Sequence, residues 1–395
     1  MARVPLLVAA LAALALAGCS LKSSNGGGGV PKGGVSPNEG SASKQLGFPV
    51  TATKNTTRVP GQDAVADAAG VASAVFPATS PATRPPAVAL VDKGDWQGAI
   101  AAGVLSAPPV NAPTLLTDGD SLPSVTKDTL DRLDPGGDQL LKGSQTLLVG
   151  EGPPAPSGRK STDLGGNDPY SEAAAVDHFY AVAKGKPSKD VVIASGEQSA
   201  YAMPAASWAA RSGDAVLFVR KNGIPPPTRQ ALIQHQKPNI WVLGPPSVIG
   251  DGVLKDLAPL GGSVTRISGP RPVDNAIAFA KFQKGRFGWG YQQPGRNFTV
   301  ANQSRPGDAA ASAALGANGI YAPLLLTDKA DPLPATLEKY FLDTEPGFAN
   351  GDPNTAVYNH AWILGAEDAL SQGAQGRIDQ AISLLPVDQS AVPVE

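Results

Sequence analysis

The chain has 395 residues, with 32 Lys+Arg against 34 Asp+Glu and a formal net charge of −2; 6% of residues are aromatic and 17% charged. That balance excludes the basic excess expected of a nucleic-acid binder. A single cysteine excludes an intramolecular disulfide, and the length leaves room for two or three domains of roughly 100–200 residues each.

Arg3 precedes an apolar run from Val4 to Leu16, followed by Ala17, Gly18 and Cys19. The run is too short for a membrane-spanning helix of ~20 residues and has the size of a signal-peptide core. Small residues before the lone Cys19 resemble the bacterial lipoprotein lipobox. That resemblance implies a signal peptide over 1–18, lipid on Cys19, and attachment to the extracytoplasmic face of a membrane. Residues 19–46 are rich in Gly and Ser, include Lys22, Lys32, Glu39 and Lys44, and read as a flexible tether.

Regular patterning begins near Phe48. Val65, Ala68, Ala69, Ala72 and Val75 mark one face of a helix. Val88–Val91 reads as a short strand, Ala99–Leu105 as a small-residue helix, Thr114–Leu116 as a strand, Val125–Leu133 as an amphipathic helix, and Thr146–Val149 as a strand reaching Gly150. The series restarts with a helix over Ala173–Ala183, the strand Val191–Ala194, a helix at Pro204–Ala210, the strand Val216–Val219, a helix at Thr228–His235, and the strand Ile240–Leu243 reaching Gly244. A third pass opens at Val264–Gly269. It has a helix through Ala276 and Ala280, a strand at Phe298–Ala301, a helix at Asp308–Leu315, a strand at Leu324–Leu326, and a helix at Leu337–Leu342. The strand Ala361–Leu364 reaches Gly365, and a closing helix runs from about Gln375 to Leu385. The Gly-, Pro- and Asn-rich stretches 283–297 and 344–359 read as surface loops.

Alternation of short apolar strands with helices predicts an α/β fold: three tandem βαβ-type modules with parallel sheets. The modules fall at 47–158, 159–262 and 263–395. Repetition supports that division. The segments Pro113–Pro123, Ala215–Pro225 and Pro323–Pro334 each carry a strand into a turn with a Leu-Pro or Ile-Pro step.

Val191-Val-Ile-Ala-Ser-Gly196, Ile240-Trp-Val-Leu-Gly244, Val248–Leu254 and Val264-Thr-Arg-Ile-Ser-Gly269 resemble the cell-wall-binding repeat type 2 family. The Arg-Ile-Ser-Gly element recurs in weaker form at Arg58-Val59-Pro60-Gly61 and decays towards Asp163-Leu-Gly-Gly166. The family's Asp-Ala-Leu step survives as Asp308-Ala309-Ala310, against Gly98-Ala99-Ile100 and Ala202-Met203-Pro204. The resemblance implies a pseudo-threefold assembly that binds an anionic secondary cell-wall polymer, or a peptidoglycan-associated glycan, without a covalent bond.

Open parallel sheets present ligands beyond the carboxyl ends of their strands, and an anionic polymer calls for Arg forks or Lys point charges. Arg220, Lys221, Arg266, Arg271 and Arg305 are the candidate polymer ligands, with Asp308 structural or binding. His178, His235 and His360 have no metal-ligand spacing, so no metal or cofactor is expected. Gly150-Glu-Gly152 runs into Pro153 and Pro154 rather than a helix, and no nucleophile elbow is present, so no catalytic set is expected. The leading expectation is therefore a lipid-anchored, non-enzymatic envelope protein. A surface scaffold that kept the fold and lost the polymer is the alternative, and a small-molecule receptor or enzyme ranks last.

Overall fold

The computed structural model describes residues 51–348 and 356–386. The signal peptide, Cys19 and the tether lie outside the described residues. No helix within them is long and apolar enough to cross a membrane.

The chain opens with the antiparallel pair β1 (Thr51–Ala52) and β2 (Thr56–Val59), then helix α1 (Ala64–Val75). β3 (Val88–Asp92) leads to α2 (Trp96–Ala101), which continues as a 3-10 turn over Ala102–Ser106. β4 (Thr114–Thr117), α3 (Ser124–Leu133), β5 (Thr146–Val149) and β6 (Ser161–Asp163) follow. The second round comprises α4 (Pro169–Lys184), β7 (Asp190–Ser195), α5 (Ser199–Ala202), α6 (Pro204–Ser212), β8 (Ala215–Val219), α7 (Pro226–Gln234), β9 (Asn239–Leu243), α8 (Asp251–Leu257) and β10 (Ser263–Ile267). The third comprises α9 (Pro272–Lys281), β11 (Asn297–Asn302), α10 (Asp308–Gly316), β12 (Leu324–Thr327), α11 (Ala335–Asp343), β13 (Gly347–Phe348), β14 (His360–Leu364), α12 (Gln372–Ala381) and β15 (Leu385–Pro386).

Three sheets share one strand order: β4-β3-β5-β6, β8-β7-β9-β10 and β12-β11-β14-β2, the last extended by β1. All pairs within these four-strand sets are parallel. The α/β class and its threefold pseudo-repeat agree with the sequence reading.

The sheets do not respect the repeat boundaries drawn on the sequence. β6 begins the second repeat but pairs with β5 in the first sheet. β10 begins the third but pairs with β9 in the second. The third sheet is completed by β2, in register Ala361↔Thr56 through Leu364↔Val59. The fourth strands are more polar than their partners (Ser-Thr-Asp in β6, Thr-Thr-Arg-Val in β2, Ser-Val-Thr-Arg-Ile in β10), so apolar runs alone mark them weakly.

Local chemistry sets the helix ends. α4 starts where Asp168 accepts hydrogen bonds from the backbone N–H of Tyr170 (2.9 Å) and Ser171 (3.2 Å), with Pro169 at the first helical position. It stops at Gly185, whose φ of 80° suits a residue without Cβ. The closing helix α12 ends at Ala381, earlier than its apolar periodicity suggests, and Leu385 belongs to a strand.

The strands are apolar on both faces, as parallel sheets covered by helices require; every residue of β8 is buried. At the centre of the threefold pseudo-repeat the small-residue helices pack against one another: the 102–106 turn, α6 and α10. Every residue of α10 is buried, as expected of a helix with no polar face. Small residues permit this approach: a Cβ on Gly103 would stand 2.6 Å from the Ala206 carbonyl oxygen, and one on Gly316 2.3 Å from that of Ser207. Ser207 Oγ in turn accepts from the Leu324 N–H at 3.1 Å, tying the second repeat to the third sheet.

The stretch 283–297 keeps the exposed residues of a surface loop, such as Gln283–Arg286, Gln292 and Gln293, but is anchored to the core. It folds inward, burying Phe287, Trp289 and Tyr291 between the second and third sheets. Phe287 stacks on Trp241 at 4.1 Å and an interplanar angle of 7°, and lies 4.8 Å from Trp208. Tyr291 meets Phe298 edge-on at 6.2 Å. Burial of these rings overrides the Gly-rich backbone, since each aromatic side chain removes a large apolar area from water.

Candidate functional site

The carboxyl ends of the three sheets differ in charge. In the first, β3 ends in Asp92, and Asp118 and Asp120 follow β4, with Glu151 after β5. Lys93 pairs with Asp118 at 2.7 Å. In the third, β12 runs into Asp328, Lys329 and Asp331. Only after β8 do two cations stand together, Arg220 and Lys221, with Glu197 alongside.

Arg220 and Lys221 occupy a tight turn closed by the bridge between Arg220 and Gly223. The Lys221 N–H donates to Glu197 Oε2 at 2.9 Å, and its carbonyl accepts from Gly250 at 2.8 Å, so the backbone of the turn is held from both sides. Both side chains are exposed. Neither makes an ion pair among the described residues; the Arg220 guanidinium lies 5.4 Å from the Tyr170 ring centroid.

The other candidates are committed to internal contacts. Arg266 Nη1 donates to the Gly244 carbonyl at 2.6 Å, and Nη2 donates to Ile249 O at 2.8 Å and Asp251 Oδ1 at 2.9 Å. Arg58 does the same work in the third sheet: its Nη1 donates to Gly365 O at 2.8 Å and its Nε to Gln375 Oε1 at 2.8 Å. The Arg of the Arg-Ile-Ser-Gly element thus ties the fourth strand to the end of the third. Arg58 was not among the sequence candidates, although its spacing to Gly61 matches that of Arg266 to Gly269. Arg271 begins α9, forks onto Asp274 at 2.7 and 2.9 Å, and reaches Thr336 Oγ1 at 3.2 Å.

Arg305 lies between two fully buried carboxyl groups. Its Nε donates to Asp308 Oδ2 at 2.9 Å, its Nη2 contacts Asp67 Oδ2, and its Nη1 donates to the Gln62 carbonyl at 3.1 Å. Asp67 also accepts from the Gly61 N–H at 2.8 Å and the Gly365 N–H at 3.2 Å. Burial raises the pKa of both carboxyls, and Asp308 raises that of Asp67 further, while Arg305 opposes the rise. Asp67 escaped the sequence reading because an Asp in an Ala-rich helix resembles a solvated face. Asp308 is wholly enclosed.

The candidate cations do not form one patch. Arg220, Lys221 and Arg266 share the end of the second sheet, since Lys221 bonds Gly250 and Arg266 bonds the adjacent Ile249. Arg271 stands between the second and third repeats, and Arg305 between the third and first.

A cavity of about 350 Å³ lies at the opposite end of the second sheet, lined by Asp177, His178, Val182, Lys186, Gln234 and His235. His235 Nε2 meets Asp177 Oδ2 at 2.8 Å and its Nδ1 meets the Ser188 carbonyl at 2.7 Å. Burial disfavours the charged ring, but Asp177 and the Ser188 carbonyl outweigh it and raise the His235 pKa. Both ring nitrogens are engaged, so His235 acts as a buried tie. Among the described residues no group of three or more His, Cys, Asp or Glu is placed to hold a metal.

Residues 164–254 match the family model for Cell wall binding domain 2 (CWB2). That stretch contains Arg220 and Lys221 and none of the other candidate cations. Among solved structures the chain is similar to Cwp8 from Clostridium difficile, at 18% identity and a TM-score of 0.65, over 87% of this chain and 54% of that one. It is also similar to Cwp6 from Clostridium difficile, at 16% identity and a TM-score of 0.65, over 84% of this chain and 50% of that one. The chain thus spans about half the length of these two proteins, and the likeness concerns the fold. No curated protein matches.

Proposed function

We propose that the protein is a cell-envelope component that holds an anionic wall polymer non-covalently, with Arg220 and Lys221 of the second repeat as the principal contact. The observation behind this reading is a coincidence: the stretch matching the wall-binding family carries an exposed Arg–Lys turn that makes no ion pair among the described residues. A guanidinium fork beside a point-charge ammonium suits phosphate or carboxylate groups. The acidic end of the first sheet repels such a polymer, so the three repeats contribute unequally. Arg266, Arg271 and Arg305 serve the fold first.

Cosedimentation of the chain with de-proteinated cell walls, before and after acid extraction of secondary polymers, tests this. Retention disappears on extraction and weakens with salt, because exposed charges are screened over ~10 Å at 0.1 M. The double reversal Arg220→Glu, Lys221→Glu reduces retention about tenfold, since two contacts of up to ~1 kcal/mol each become repulsive. Retention unchanged by the reversal moves the site elsewhere; no retention on either wall preparation favours the scaffold reading.

The lipobox-like sequence supports attachment of Cys19 to a membrane, with the Gly- and Ser-rich tether giving the repeats reach towards the wall. Cys19→Ala releases the protein from the detergent phase into the aqueous phase on detergent partitioning of whole cells. Retention of the variant in the detergent phase overturns the lipid anchor.

A further inference from the structure

The three contacts between successive repeats are built on one plan. A Gly ends the fourth strand, and the residue six positions on, inside the next helix, faces back towards it: Asp67 after Gly61, Glu172 after Gly166, Asn275 after Gly269. Asp67 and Asn275 accept from the N–H of their Gly at 2.8 and 3.2 Å.

Facing these positions is the turn after the first strand of a neighbouring repeat. In the contact made by Asp67, that turn supplies Arg305 and Asp308, and the guanidinium pairs with both carboxyls, which also touch each other. In the contact made by Asn275 there is no charge to balance: its Nδ2 donates to the Tyr201 carbonyl at 3.3 Å.

The contact made by Glu172 has neither solution. Three residues after Asp92, where the third repeat has Arg305 three after Asn302, this chain has Asp95, and Gly98 takes the place of Asp308. Glu172 is 5% exposed, and its Oε1 has no hydrogen-bond partner. A Cβ on Gly98 would lie 2.1 Å from Glu172 Oε1 and 2.3 Å from Asp95 Oδ2; one on Gly150 would lie 2.7 Å from Glu172 Oε2 and 3.1 Å from Asp95 Oδ2. The two carboxyl groups therefore converge in the space that two glycines leave open. The charged groups acting on Glu172 are Asp95, the N-cap of α2, and Asp168, the N-cap of its own helix, both acidic. Arg220 acts on Asp168. Glu172 is enclosed and Asp95 half-buried, and two carboxylates in such contact do not both stay ionised.

We propose that this contact is a proton-binding latch: Glu172 is kept as the neutral acid, donates to Asp95, and so joins the first and second repeats where Arg305 joins the third and first. Burial, then the charge and hydrogen bond of Asp95, push the Glu172 pKa up to about 9. The unfolded chain surrenders this proton near the ordinary value of 4.5, whereas the folded chain keeps it up to about 9. Stability from the latch is therefore fully present below 4.5 and is lost as pH rises through about 9.

Glu172→Gln keeps the shape and a donor while removing the titration. In unfolding of the full chain between about pH 5 and 9, the wild-type folding constant falls relative to Glu172→Gln by up to about tenfold per pH unit, the slope of one proton. Comparison with the variant cancels the similar titration of Asp67 and Asp308. Two local readouts keep the test open if the variant fails to fold. Protein carrying Asp67→Asn and Asp308→Asn, at neutral pH, shows an infrared carbonyl band of a protonated carboxylic acid that fades near pH 9, free of the similar titration of those two groups. The fluorescence of Trp96, beside Asp95 and edge-on to Phe218 at 6.1 Å, shifts over the same range. Parallel pH curves with no such band overturn the latch. So does stabilisation of the wild type, but not of Glu172→Gln, by added calcium and its reversal by chelator, which would make the bridging ion a metal.

Discussion

Arg305→Ala destabilises the protein by about 3–5 kcal/mol, the range for removing one partner of a buried ion pair. Asp67 and Asp308 are fully enclosed, and Arg305 is 16% exposed at its side chain. Removing the guanidinium leaves two carboxyls facing each other without a counter-charge, and both protonate or the contact opens. Chemical denaturation measures the loss. The triple variant Arg305→Met, Asp67→Asn, Asp308→Asn recovers most of it, because desolvating an ion pair offsets much of its attraction and neutral groups of similar size avoid that cost. Wall retention of the folded Arg305→Ala fraction stays near wild type. An unchanged denaturation midpoint with lost retention would instead make Arg305 a polymer ligand.

Phe287→Ala costs about 3–5 kcal/mol, the range for truncating a buried Phe. Phe287 is 3% exposed and lies against Trp241, Trp208, Phe279 and Phe282. Trp208 is also held by Trp289 at 5.4 Å, which limits its movement into the space. The cavity would therefore persist rather than collapse. Three of the five tryptophans, Trp208, Trp241 and Trp289, belong to this cluster, so fluorescence-detected unfolding follows the same event. A loss below about 1 kcal/mol would show that 283–297 can leave the core without consequence.

These two sites mark where reading from residues reached and where it stopped. Strands such as Ala215–Val219 and helices such as Pro204–Ser212 announce themselves through period and turn residues. The fourth strand of each sheet does not, because its partner is chosen by the closing of the assembly rather than by its own composition. Phe287, Trp289 and Tyr291 alternate with glycines at a strand's period of two, yet no strand of the three sheets forms there. Their irregular backbone, bridged between Lys284 and Phe287, hides a core segment inside a Gly-rich stretch. The candidate cations could be found from their charge, but not their partners. Arg266 and Arg220 are alike in sequence, yet one is spent on carbonyls and the other is free of ion pairs.

The completion of the last sheet by β2 has a consequence for the order of events. The early strand Thr56–Val59 pairs with one delivered about 300 residues later, at Ala361–Leu364. Until then its edge is unpaired, and Asn55 lacks the Asp379 and Ser383 groups that hold it. Loop closure over so long a separation is slow. The first two sheets can assemble as they emerge, whereas the third needs a strand from near each end of the described residues, so β2, among the first strands made, is among the last to find its place in a sheet.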